Sequence, residues 1–180
     1  MYSLNEKVVY PGHGVARINR IVEKKIGNDL AIFFELKFLD NKKETTILIP
    51  VDAALSAGIR KLSSEDKIND IFRVLSEISP TKLGNFNSWN KRRKQYLGKL
   101  GSGDLIEISK IYRDLQFLAK NKDLSFGERK LLEDTEKLLV QEISLVKNML
   151  EKNALEKLRS FFNQPPINII ESNKTQVLQI

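Results

Sequence analysis

Short apolar runs broken by turn residues occupy the first third of the chain, and apolar positions at helical spacing occupy most of the rest. Between residues 7 and 50 the apolar runs 8–10, 15–22, 30–39 and 45–49 are separated by Pro11-Gly12-His13-Gly14, Gly27-Asn28-Asp29 and Asp40-Asn41-Lys42-Lys43. Runs of this length between Gly, Pro, Asn and Asp clusters are strands joined by hairpin turns. Four or five strands in so short a stretch make a small, strongly bent sheet, and curling it towards a barrel covers most of its free edges. The expectation is an SH3- or Tudor-like small β-barrel over residues 1–55.

After Pro50 the texture changes. Residues 56–62, with a break at Gly58, read as a connector, and from residue 63 the pattern is helical. Ser63-Ser64-Glu65-Asp66 supplies cap residues and early acids for a first helix, with Ile68, Ile71, Phe72, Leu75 and Ile78 on one stripe and Pro80 as its stop. A second helix is expected over residues 87–100, stopped by Gly101 and Gly103. A third begins at Ser102 or Asp104 and carries Leu105, Ile108, Tyr112, Leu115 and Ala119 on one face. Ser125-Phe126-Gly127-Glu128 is a capping box for a fourth, whose stripe of Leu132, Leu139, Ile143 and Val146 is expected to continue to Leu150. A short fifth helix is expected around residues 154–162. The fold class is therefore α+β in two domains: the small β-barrel, then a compact all-α domain over residues 63–164, with 165–180 a tail.

Composition adds three constraints. A hydrophobic fraction of 41% is enough to bury a core, and there is no cysteine, so disulfides and thiolate metal sites are excluded. No apolar run approaches the roughly 20 residues that cross a bilayer, and no secretory signal opens the chain, so a cytoplasmic, nucleoid-associated protein with no membrane contact is expected. The net charge of +7 is concentrated: residues 81–101 hold Lys82, Lys91, Arg92, Arg93, Lys94 and Lys99 with no acid, six of the seven net charges. An exclusively basic segment in an otherwise balanced chain points to a polyanion.

Catalysis finds little support. The single histidine, His13, sits in a glycine turn with no second His or Cys to complete a ligand set, and no phosphate loop, nucleophile elbow or zinc helix occurs. The helical acids alternate with Lys and Arg as on solvated faces. No enzyme activity, cofactor, metal or small-molecule substrate is expected.

The most informative segment is Asn87-Ser88-Trp89-Asn90-Lys91-Arg92-Arg93-Lys94-Gln95-Tyr96, which sets the only tryptophan at the start of a helix bearing four consecutive cations. Two readings stand here. On a helical wheel Trp89, Tyr96 and Leu100 fall on one line, as core residues do. Yet Trp89 lies in the first turn among polar neighbours, where a ring can overhang the helix end, and an aromatic beside phosphate-binding cations is what insertion into distorted DNA requires.

The chain resembles the CarD/CdnL family of bacterial RNA polymerase-binding regulators over about residues 4–160. The resemblance is carried by Val8-Val9-Tyr10-Pro11-Gly12-His13-Gly14-Val15, by Ser88-Trp89-Asn90-Lys91-Arg92, and by Tyr112-Arg113-Asp114-Leu115 with Leu124-Ser125-Phe126-Gly127-Glu128-Arg129-Lys130-Leu131-Leu132. It implies that the β domain binds the β1 lobe of the RNA polymerase β subunit, through positions matched by Lys24, Leu48 and Pro50. It implies that Trp89 wedges into promoter DNA at the upstream edge of the open bubble, while Lys91, Arg92 and Lys94 hold phosphates without reading sequence. Some members carry arginine where this chain has Leu48, and Asn90-Lys91 replaces a commoner Ser-Arg, keeping the charge but losing a guanidinium fork. A related β domain occurs in transcription-repair coupling helicases, but this chain has no nucleotide-binding loop. The expected protein is a monomeric regulator that stabilises the promoter open complex. A nucleoid-type DNA binder or a protein–protein adaptor, each acting without polymerase, is the alternative.

Overall fold

The computed structural model describes residues 2–39, 45–77 and 89–163. The expected turn at 40–43, the ends of the first and second helices at 78–88, and the tail at 165–180 lie outside them. Five antiparallel strands form one sheet: β1 (Lys7–Tyr10), β2 (Gly14–Ile26), β3 (Asp29–Phe38), β4 (Thr46–Pro50) and β5 (Arg60–Lys61), in the order β4-β3-β2-β1-β5. Alternation along the strands sends Val8, Ala16, Ile18, Phe34, Leu36, Phe38 and Ile49 to one face, where they pack together as a core. Ala54 and Ile59 complete that core, and β5 pairs with β1. Part of the expected 56–62 connector is therefore sheet and core, because β1 has a free edge that an extended segment can pair with.

A bulge at Asn19 decides what the outer face carries. Ile18 opposes Leu36 and Arg20 opposes Glu35, which leaves Asn19 as one extra residue in β2. Its Nδ2 donates to Glu35 Oε1 at 2.6 Å, and the Arg20 guanidinium forks onto the same carboxylate at 3.0 and 2.8 Å. These hydrogen bonds, with the Arg20 charge, hold the Glu35 carboxyl below the usual carboxylate range.

Five helices follow: α1 (Glu65–Ser76), α2 (Trp89–Ser102), α3 (Leu105–Asn121), α4 (Phe126–Val146) and α5 (Glu151–Ser160). Caps read from sequence start three of them. Ser64 Oγ accepts from the Lys67 N–H, Asp104 Oδ1 from the Ile106 N–H, and Ser125 with Glu128 makes both bonds of a capping box. Ile68, Ile71 and Leu75 of α1 meet Ile108, Tyr112 and Leu115 of α3, Leu131, Leu139 and Ile143 of α4, and Leu158 of α5 in one core.

Three boundaries differ from the pattern. The chain continues through Gly101 in a right-handed helix and turns only at Gly103, whose φ of +67° is the left-handed stop. α4 ends at Val146, so Leu150 leaves the expected stripe and is 72% exposed, since Asn148 at φ +49° breaks the helix before it. α5 starts at Glu151 rather than near 154.

Sheet and helices are joined by buried polar contacts. Gly14 lies under α4 with no room for a side chain beside Gln141, whose Oε1 accepts from the Val15 N–H at 2.8 Å. Arg60 of β5 donates to the Gly103 carbonyl and forks onto Glu142 at 2.7 and 2.9 Å, while the Ser63 N–H donates to the same carboxylate. Glu142 is only 1% exposed, and a carboxylate so buried is tolerable because each oxygen is satisfied.

Candidate nucleic-acid interface

α2 is amphipathic in an unusual way. Trp89, Arg92, Tyr96 and Leu100, three or four residues apart, turn towards α3 and α4, while Lys91, Arg93 and Lys94 are exposed. Leu100 is fully enclosed, Tyr96 and Trp89 only partly. The ring of Trp89 rests on the core, but at the N-terminal end of the helix and only half covered. It can rest there because position 127 has no side chain. A β-carbon at Gly127 would lie 3.0 Å from Trp89 Cζ2 and 3.3 Å from its Nε1.

The six basic residues of 81–101 divide by what they touch. Lys82 lies outside the described residues. Arg92 Nη2 donates to Glu128 Oε1 at 2.8 Å, with the arginine side chain 15% and the glutamate 1% exposed, and its guanidinium carbon stands 5.9 Å from the Trp89 ring centre. Arg92, expected on phosphate, is thus turned inwards and ties the first turn of α2 to α4. Lys99 pairs with Glu107 at 2.6 Å. Lys91, Arg93 and Lys94 make no ion pair among the described residues and form the outward charge of the helix.

Two carboxylates hold this arrangement. Burial pushes the Glu128 carboxyl up, but hydrogen bonds from the Ser125 N–H and hydroxyl and from Lys122 outweigh it and leave the group below its ordinary value. Hydrogen bonds from Lys110 and Lys99 pull Glu107 down to about 2. Both stay ionised at neutral pH, so α2 is pinned at both ends by charge-assisted bonds.

Between α2 and α4 lies an open cleft of about 400 Å³, lined by Trp89, Asn90, Arg93 and Leu97 on one side and Phe126, Gly127, Lys130, Leu131 and Asp134 on the other. Phe126 is 87% exposed. Sequence reasoning passed over it as an element of the capping box, and passed over Gly127, Arg60 and Glu142. The polar pair Gln141-Glu142 inside the apolar run 138–143 was the available signal for the last.

The three positions expected to meet a protein partner share one surface. Register puts Leu48 opposite Glu35, Pro50 opposite Phe33, Phe33 opposite Val22 and Lys24 opposite Ala31, all on the face away from the β core. Leu48 is 40% exposed and Ile49 beside it 8%, the alternation expected from the strand. His13 is a loop residue, its ring stacked on Tyr10 at 4.8 Å. Among the described residues no helix is long and apolar enough to cross a membrane, and no cluster of three His, Asp or Glu side chains could hold a metal ion.

Comparison with known proteins assigns both halves. Residues 2–63 match the family model described as the CarD-like/TRCF RID domain, and residues 70–159 match CarD, C-terminal domain. The putative transcription factor YdeB of Bacillus subtilis (strain 168) is 26% identical over 152 residues, 84% of this chain and 96% of that protein. The solution NMR structure of the 72-residue N-terminal domain of Myxococcus xanthus CarD is 24% identical, covering 34% of this chain and 79% of that one, with a TM-score of 0.29. With a Tudor-like antiparallel module followed by a five-helix region, and family matches over both, the chain belongs to the CarD family of transcription regulators.

Proposed function

We propose that this protein binds the RNA polymerase β subunit through the outer face of its β module and stabilises the promoter open complex by setting Trp89 against DNA at the upstream edge of the bubble. The observation that carries this reading is the position of Trp89: a half-covered ring at the N-terminal end of α2, beside three outward cations on a helix that carries no acid. Lys91, Arg93 and Lys94 supply phosphate affinity that is indifferent to sequence. Arg92, committed to Glu128, holds the ring and those cations at a fixed angle instead. Lys24, Leu48 and Pro50, brought to one face by register, form an exposed surface of mixed apolar and cationic character suited to a protein partner. The Arg60–Glu142 and Val15–Gln141 contacts make sheet and helices one unit, so docking at one end sets where Trp89 falls at the other.

Affinity for DNA alone can be weak, since polymerase supplies the local concentration. The test is the lifetime of open complexes on a slow promoter with and without the full chain: the reading requires a longer lifetime, and an unchanged lifetime refutes it. The seating of Trp89 on Gly127 favours one other reading, an adaptor in which the ring only secures α2 to α4. Such a protein would bind polymerase and leave open-complex decay unaltered.

A further inference from the structure

Phe126 has no structural duty that accounts for it. The capping box at the start of α4 is made by Ser125 and Glu128, and neither bond asks for a phenyl ring at the first helical position. At 87% it is the most exposed of the large apolar side chains described, and it contributes nothing to the helical core. It stands next in sequence to Gly127, on which the Trp89 indole rests, and both rings line the cleft between α2 and α4.

The rest of the cleft says what would enter it. Arg93 and Leu97 line it from α2, and Lys130 and Leu131 from α4. One acid is present: Asp134, neutralised by Lys130 at 2.7 Å. Lys91 and Lys94 add charge just outside. Two aromatic rings beside the outward cations of α2 match the chemistry of a nucleotide whose base has left its stack, where the ring faces replace lost stacking and the cations meet the phosphates. A cleft of about 400 Å³ is of the size that takes a small organic group.

We propose that Phe126 and Trp89 form a two-aromatic seat for an unpaired base of single-stranded DNA, with Arg93 holding a flanking phosphate. This rests on the reading of the protein as a bubble-edge regulator and extends it: the open complex would be held by capture of an unpaired nucleotide as well as by a single wedge. Phe126 then discriminates single strand from duplex, because a paired base cannot enter.

The full-length chain can be tested without polymerase. A labelled oligothymidine and a duplex of equal length are titrated at low salt by anisotropy, while quenching of the chain's only tryptophan reports where the strand lies. The single strand is expected to quench Trp89 and to bind more tightly than the duplex. Phe126→Ala, at so exposed a position, keeps the wild-type melting temperature and binds the single strand about tenfold or more weakly, and Phe126→Leu falls between. Wild-type affinity in Phe126→Ala, or no quenching of wild type by the single strand, overturns the seat. If open-complex lifetime still depends on Trp89 in that event, the bubble-edge reading stands without it; if the seat is found and open complexes are unaffected, that reading alone fails.

Discussion

Gly127 lies directly beneath the Trp89 indole, so close that a β-carbon there would come within 3.0 Å of Cζ2. The absence of a side chain on one helix thus sets the attitude of the ring on another. Gly127→Ala should move the ring by a few tenths of an ångström and Gly127→Val by more, with the helix itself tolerating alanine better than glycine. The expected outcome is a shifted Trp emission with little loss of stability for alanine. Emission identical to wild type in both variants would mean that the ring is not held there.

Removing the outward cations should separate charge from scaffold. Each phosphate neutralised contributes roughly −0.9 to the slope of log K against log salt, so replacing Lys91, Arg93 and Lys94 with Ala should flatten it by about 2 to 3 without altering the melting temperature. Arg92→Ala should do the reverse. It removes one charged partner from buried Glu128, which keeps Lys122 and Ser125, and loss of a hydrogen bond to a charged group costs about 1.5 to 3 kcal/mol. Parallel salt titrations and thermal unfolding of the two variants check both halves. A flattened slope with unchanged stability in Arg92→Ala would show Arg92 to be a phosphate ligand after all.

Glu142 gives the corresponding test of the joint between sheet and helices. Arg60→Ala leaves its carboxylate, 2% exposed in the side chain, without its guanidinium, for an expected loss of about 3 kcal/mol. Calorimetry measures the loss. A variant as stable as wild type would mean that the two halves are not fastened there.

Acid should loosen α2 before neutral-pH conditions do. Glu107 is held at about 2 against an ordinary 4.5, and Glu128 is also held low. A carboxyl depressed in the folded state contributes stability that is whole above its free value and is lost as pH falls through the folded one. The stability gap between wild type and Glu107→Gln should therefore be widest near pH 7 and close between about pH 4.5 and 2. Melting temperatures across that range decide it, a gap of constant width contradicting the assignment.

The strands, the helix caps and the basic segment were legible because each is local: turn residues mark hairpins, Ser125 and Glu128 mark a helix start, and charge can be counted. What was not legible depends on pairing at a distance. The role of Arg60 appears only when β5 adds to β1 and brings it to Glu142, 82 residues away. Arg92 and Lys94 look alike in the sequence, yet helical phase turns one to Glu128 and the other outwards. Leu150 was misplaced because Asn148 in the left-handed region ends α4 without glycine or proline to announce it. The half-burial of Trp89 depends on Gly127 of another helix, which no wheel drawn on α2 can show.

Trp89→Ala bears on the central claim most directly. Truncating a fully buried aromatic costs about 3 to 5 kcal/mol, so a half-covered ring should cost about 2, a fall of several degrees in melting temperature that leaves the chain folded at 25 °C. Decay of open complexes on a slow promoter is then measured at 25 °C with saturating wild type or Trp89→Ala, polymerase binding being confirmed for each. Loss of an interaction worth about 1.4 kcal/mol shortens the lifetime roughly tenfold, and the account predicts a loss of that order with polymerase affinity unchanged. A folded, polymerase-bound Trp89→Ala that preserves open complexes as long as wild type does would contradict it.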